Sequence, residues 1–128
     1  MQSKLNVYGD LLKPCSFNPL TGWTRNGYCE TDDHDYGTHV VCGRVTDAFL
    51  KFTKSRGNDL MSTVGLKDGD FWCLCALRWL EAYKYDKSIA PKIKLESTDI
   101  KMLEYVSMKV LEKYKFYFFF IQINILKT

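Results

Sequence analysis

Residues 69–79 read GDFWCLCALRW, and two periodicities meet inside this stretch. Phe71 to Cys75 follows a glycine-punctuated turn and is dense in aromatic and apolar residues, the composition of a short buried strand. From Ala76 onward Trp79 and Tyr83 stand four apart on one helical face, so a helix is expected to about Tyr85. A strand passing straight into a helix, with further short strands and helices on either side, predicts an α+β fold: a small sheet with short helices packed on it.

Upstream, residues 6–37 contain Gly9, Pro14, Pro19, Gly22, Gly27 and Gly37 among several Asn and Asp residues, and carry neither a helical nor an alternating pattern. This loop-rich N-terminal third must be ordered by side-chain contacts. Asn18-Pro19-Leu20-Thr21-Gly22 is a turn by its own chemistry, since proline presets φ and glycine accepts a positive one. From Thr38 to Val45 the residues Val40, Val41 and Val45 around Cys42 predict a buried strand. Thr46 then reads as the N-cap of a helix with Phe49, Leu50 and Phe52 or Thr53 facing inward, ended by Gly57. Residues 57–70 read as a glycine-punctuated loop. Ile93 and Leu95 alternate with Lys94 and Glu96 as in a half-exposed strand, Thr98-Asp99 opens a short helix, and Ser107 caps a last one.

The 128 residues suit one domain, expected over residues 6–115. A net charge of +3, from 18 basic and 15 acidic groups, is mild and scattered, which gives no nucleic-acid signal. The tail from Phe116, FYFFFIQINIL, is apolar over 11 residues, too few for the roughly 20 of a transmembrane helix. Residues 116–128 are read as a hydrophobic extension, species-specific or arising from mis-annotation. The start, MQSKLNVYGD, lacks a signal-peptide pattern, so a cytoplasmic location is expected. There the five cysteines are expected to be free thiols, metal ligands or catalytic groups rather than a disulfide framework.

On an extended strand Cys73 and Cys75 point to one face with Cα atoms about 7 Å apart, too far for easy disulfide geometry. They are placed to meet a third group, which Cys42, Cys15 or Cys29 could supply. Two chemistries follow. Cys15, Cys29, Cys42, Cys73 and Cys75, with His39, are ligand types that zinc takes, although no CxxC knuckle is present. Alternatively Cys73 or Cys75 is a nucleophile and His39 its base; His39 and Cys42 would face opposite sides of one strand, which leaves Cys15, Cys29 or Cys73 as the expected partner of His39. Against both stands the plain reading that cysteines simply fill a core. The acidic run Glu30–Asp35 lacks the glycine and terminal glutamate of a calcium loop and reads as solvated.

Arg25, Arg56, Asn58, Asp59, Arg78 and Trp79 form the other constellation. Arg56 and Arg78 could clamp a carboxylate or phosphate, with Asn58 and Asp59 orienting a polar ligand. The same Gly57-Asn58-Asp59 also serves as a helix stop with a local turn. Arg78 lies near a helix start, where the dipole disfavours a cation, so a specific partner such as Glu96 or Asp59 is expected.

The segments PCSFNPLTGWTRNGYC (14–29), THVVC (38–42), SRGNDL (55–60), GLKDGDFWCLCALRWLEA (65–82) and AP followed by LEST (90–98) closely resemble, in order, the family catalogued as domain of unknown function 2237, over about residues 6–111. The resemblance implies a small standalone protein and carries no established activity. Two departures stand out: the family usually has two adjacent cysteines where this chain has Tyr28-Cys29, and a longer, proline-rich loop between Leu60 and Gly65. Three roles are therefore expected as alternatives. They are a binding module for a small anionic ligand or a protein partner, a thiol-dependent enzyme or redox protein, and a zinc-stabilised structural module.

Overall fold

The computed structural model describes residues 4–117. Its centre is a three-stranded antiparallel sheet in the order β2-β1-β3, formed by β1 (Val41–Arg44), β2 (Phe71–Leu74) and β3 (Lys92–Ile93). The helices are α1 (Asp47–Ser55), α2 (Leu60–Thr63), α3 (Ala76–Tyr85) and α4 (Met108–Lys113), with 3₁₀ turns at Leu95–Ser97 and Ile100–Glu104. The expected α+β class is what the chain adopts.

Strand register divides the sheet into two chemically distinct faces. Val41 pairs with Leu74 and Cys42 with Cys73, so alternation sends the valine and leucine to one side and both cysteines to the other. On the first side Val41, Trp72 and Leu74 join Val40, Val45, Phe49, Leu50, Trp79, Ile93 and Met102 in the main apolar core. Trp79 is fully buried there and its indole N–H donates to the Pro91 carbonyl at 2.9 Å, which satisfies the polar atom that burial would otherwise strand. Gly43 lies under Leu74: a Cβ at that position would stand 2.7 Å from Leu74 Cδ1 and 3.2 Å from Pro91 Cβ, so the leucine would have to shift.

On the second side Cys42 and Cys73 are bonded to the N-terminal loops. Cys15 forms a disulfide with Cys42, and Cys29 with Cys73. These four residues, 0–3% exposed, make a separate cluster against which Phe71 packs. The expectation of free thiols is corrected here. A segment too polar and too glycine-rich to bury a face of its own is fixed by covalent bonds to a sheet. The Thr21 hydroxyl accepts from the Cys73 amide at 2.9 Å and the Thr98 hydroxyl from the Cys42 amide at 3.1 Å.

Helix starts follow the cap chemistry. Thr46 accepts from the Phe49 amide, and Phe49, Leu50 and Thr53 are buried. Ser107 caps α4 by accepting from the Val110 amide. The loop expected over 57–70 contains the one-turn α2, started by Asp59 accepting from the Ser62 amide; a single turn is too short to display a period. Phe116 and Tyr117 follow α4, with the Phe116 amide donating to the Ile93 carbonyl and its ring edge-on to Phe71 at 5.1 Å. The rest of the apolar tail lies outside the described residues. Among the described residues no helix is long and apolar enough to cross a membrane.

In oxidised protein, alkylation after unfolding without reductant is expected to label one sulfur of five, and reduction to release the other four, as read by intact mass. Cys15→Ala/Cys42→Ala is expected to lower the unfolding free energy by about 3–4 kcal/mol, the loop-closure value for a bridge of this span, checked by the urea midpoint.

Candidate functional site: a free thiol facing a histidine

Cys75 is the one cysteine outside the disulfides. It is not the last residue of the strand, as expected, but the N-cap of α3 (φ −57°, ψ 135°). The chain turns there, so Cys75 departs from the Cys73 face and meets His39 instead.

Asp35 fixes the histidine, and Thr31 fixes Asp35. The His39 Nδ1 lies 2.6 Å from Asp35 Oδ1, while the His39 amide donates to Asp35 Oδ2 at 2.8 Å. The Thr31 hydroxyl donates to the same carboxylate at 3.0 Å. Asp35 is thereby 4% exposed, so the acidic run is not uniformly solvated: Asp32 and Asp33 face water, whereas Asp35 is an interior hydrogen-bond acceptor. With Nδ1 engaged, Nε2 is left as the free ring nitrogen, and it and the Cys75 sulfur both border Gly37. The expected partner of His39 among Cys15, Cys29 and Cys73 is replaced by Cys75, because the first three are spent in bridges; Cys73 lines the same cleft as His39, but its sulfur is bonded to Cys29.

The backbone between Asp35 and His39 is shaped for this contact. At Gly37 a Cβ would stand 2.5 Å from His39 Cε1 and 3.0 Å from both His39 Nε2 and Cys75 Sγ. Thr38 has φ +49°, an outlier for a β-branched residue. Its carbonyl accepts from the Ala76 amide at 3.0 Å, which ties the histidine loop to the first turn of α3. Strain of this kind persists where the surroundings over-determine it.

The electrostatics follow from the geometry. The Cys75 sulfur is the largest influence on His39, and raises its pKa from 6.5 to about 9 against partial burial, with Asp35 adding in the same direction. Burial opposes ionisation of Asp35, but the His39 amide and ring and the Thr31 hydroxyl outweigh it and hold the carboxyl below its usual range. A charged imidazole with a carboxylate on one side and a sulfur on the other is the resulting state.

Beside His39 opens a cleft of about 440 Å³ whose walls include Trp23, Arg25, Leu60, Val64 and Trp72. The Arg25 guanidinium donates to the Gly22 carbonyl at 2.6 Å and lies 5.0 Å from the Trp72 ring centroid. It is held as a positive group at the cleft, and the backbone of Arg25 itself is left-handed (φ +58°).

The remaining constellation does not assemble. Arg78 donates to the Arg56 carbonyl at 3.0 Å and pairs with Glu81 at 3.3 Å, not with Glu96 or Asp59. The Arg56 guanidinium lies over Phe52 and Tyr85. Asn58 donates to the Thr53 hydroxyl, and Asp59 caps α2. Trp79 is a core residue, stacked on Tyr83. Of the six, Arg25 alone reaches the cleft with His39. The five-cysteine zinc set is not presented either, since Cys15, Cys29, Cys42 and Cys73 are in disulfides and Cys75 belongs to the histidine.

Sequence reasoning missed Asp35 and Gly37. The available signal was Asp35-x-Gly37-x-His39, an acid four residues before a histidine with a glycine between.

These features define a disulfide-braced α+β domain that presents one thiol to a histidine anchored by a carboxylate. The chain belongs to the family described as "Uncharacterized protein conserved in bacteria (DUF2237)", which matches residues 5–115. Among curated proteins no match is found.

Gly37→Ala is expected to part His39 from Cys75, moving the imidazole titration midpoint from about 9 toward 6.5 and costing about 1–3 kcal/mol of stability as an overpacked site; NMR of the ring protons reads the first. The His39 contribution to stability is complete below 6.5 and is lost as pH rises through about 9, and the Asp35 contribution is complete above 3.8 and is lost as pH falls below it. The melting-temperature gap between wild type and His39→Gln should therefore be widest between 3.8 and 6.5, and close toward alkaline pH.

Proposed function

We propose that the protein is a thiol-dependent enzyme in which Cys75 is the nucleophile, His39 its proton carrier and Asp35 the residue that orients His39. The single observation that carries this reading is the Asp35–His39–Cys75 relay, with its 2.6 Å carboxylate–imidazole contact and a free sulfur on the far side of the ring. A nucleophile, a base within reach of it and a third group orienting the base form the general pattern of covalent catalysis. Cys75 also stands at the positive end of the ten-residue α3, where negative charge is favoured.

In the proposed step the Cys75 thiolate attacks an electrophilic carbon. A sulfur–carbon bond forms, the bond to the leaving group breaks, and the leaving group takes the proton that His39 carries. Water then releases the product, with His39 accepting its proton. Arg25 and the charged His39 give the cleft two positive groups among Trp23, Trp72, Leu60 and Val64, which suits a small substrate with one anionic and one apolar part. The binding-module reading survives in this form, with Arg25 rather than Arg56 or Arg78 as its anion contact.

The test uses two alkylating probes of opposite character on the native, oxidised protein. Cys75 is expected to react alone, and His39→Gln to slow it by on the order of ten- to a hundredfold at neutral pH. Iodoacetate should gain on neutral iodoacetamide relative to a free thiol in solution, and Arg25→Gln should abolish that gain. A Cys75 that reacts no faster than an unfolded-chain thiol, with or without His39, would sink the proposal.

A further inference from the structure

We infer that the four cysteines of the second sheet face form a redox-gated metal site: bridged when oxidised, and on reduction a tetrahedral four-thiolate site for zinc or a similar divalent ion. This rests on the disulfide cluster and is independent of the thiol that faces His39.

The sulfurs of Cys15, Cys29 and Cys73 all lie within 4.8 Å of one another, and all three residues are buried. The fourth, Cys42, is bonded to Cys15 and stands directly across the ladder from Cys73. Three sulfurs thus share one pocket between the sheet and the loops, and Cys42, bonded to one of them, is the sulfur that must turn inward to complete the set. A zinc ion with zinc–sulfur bonds of about 2.3 Å needs its four sulfurs about 3.8 Å apart. Released from their bonds, Cys15, Cys29 and Cys73 start within 4.8 Å of one another, and Cys42 must rotate toward them to reach that spacing. Two of the ligands stand on paired strands and two on loops braced by other contacts, such as the Cys15 amide donating to the Gly27 carbonyl at 2.7 Å. The pocket therefore has anchors that do not depend on the bridges. Because each ligand comes from a different segment, no zinc-knuckle spacing is written in the sequence.

A four-thiolate zinc site carries two net negative charges, and a cation stands at its edge. The Lys94 ammonium donates to the Cys15 carbonyl at 2.9 Å and lies 4.1 Å from the centroid of Phe71, the ring that packs on the cysteines. The Lys94 amide donates to the Cys42 carbonyl at 2.9 Å. Such outer groups compensate ligand charge and set ligand orientation.

The chemistry balances with a dithiol as reductant. Each disulfide takes two electrons and two protons from one dithiol, which becomes a cyclic disulfide, so two dithiols yield four cysteine thiols. The metal then displaces the four thiol protons, and zinc itself is neither oxidised nor reduced. Reoxidation by a disulfide oxidant expels the ion.

The test is cobalt(II) and zinc titration of protein reduced with a phosphine under anaerobic conditions. The expected result is one cobalt ion per chain with the visible bands of a tetrahedral site and sulfur charge-transfer absorption, displaced by zinc, and none in the oxidised protein. Cys75→Ala should leave this unchanged, and Lys94→Met should weaken binding by about tenfold. If reduction unfolds the metal-free chain, adding the ion should restore the native circular dichroism. No stoichiometric metal in the reduced protein, a cobalt spectrum lost in Cys75→Ala, or an unfolded reduced chain that the ion fails to refold would each overturn the inference.

Discussion

The pairing of Cys42 opposite Cys73 on neighbouring strands is the constraint on which the rest of the molecule depends. Each cysteine reaches off the sheet to a different loop, so two covalent bonds fasten a segment with no apolar face of its own to a sheet only three strands wide. Both bridges leave from adjacent positions, and the loops carrying Cys15 and Cys29 are pinned to one small area. What the N-terminal third contributes, from Arg25 on the Trp72 ring to Asp35 beneath His39, is positioned from those two anchors together with hydrogen bonds such as Val7 to Thr98, Lys13 to Glu96 and Cys73 to Thr21.

The opposite face is stabilised by ordinary means. Val41, Leu74, Phe49, Leu50 and Trp79 exclude water, and burial of such side chains contributes about 1.5–3 kcal/mol each. The two faces meet at the junction of β2 and α3. Leu74 belongs to the apolar core, Cys73 to the sulfur cluster, and Cys75 to neither. No loop separates strand from helix, so the thiol inherits its position from core packing on one side and bridge geometry on the other.

The elements that sequence reveals are those with local causes. Thr46, Asp99 and Ser107 act as caps where hydroxyl and carboxylate chemistry predicts, and the strand-to-helix change within residues 69–79 falls within a residue of its observed place. That one residue mattered, because treating Cys75 as strand put it on the face of Cys73 and left the two sulfurs as equal candidates to meet His39. Cysteine pairing was illegible for a different reason: partners 27 and 44 residues apart are chosen by tertiary geometry, which spacing does not encode. Asp35 was masked by its neighbours, since an acid inside an acidic run looks solvated until the backbone bends it inward. The arginines misled in the opposite sense. Arg56 and Arg78 have site-like chemistry, yet their donors are used on a helix end and on aromatic rings.

The one-turn α2 and its C-cap supply Leu60 and Val64 to the wall of the cleft. The relay and its supports, by contrast, sit on the sheet, α3 and the disulfide-held loops. Leu60 and Val64 reach the cleft from the short α2 segment, whereas Arg25 and Trp72 reach it from a disulfide-held loop and from β2, so a change in the length of the segment alters one wall of the cleft and leaves the opposite wall anchored.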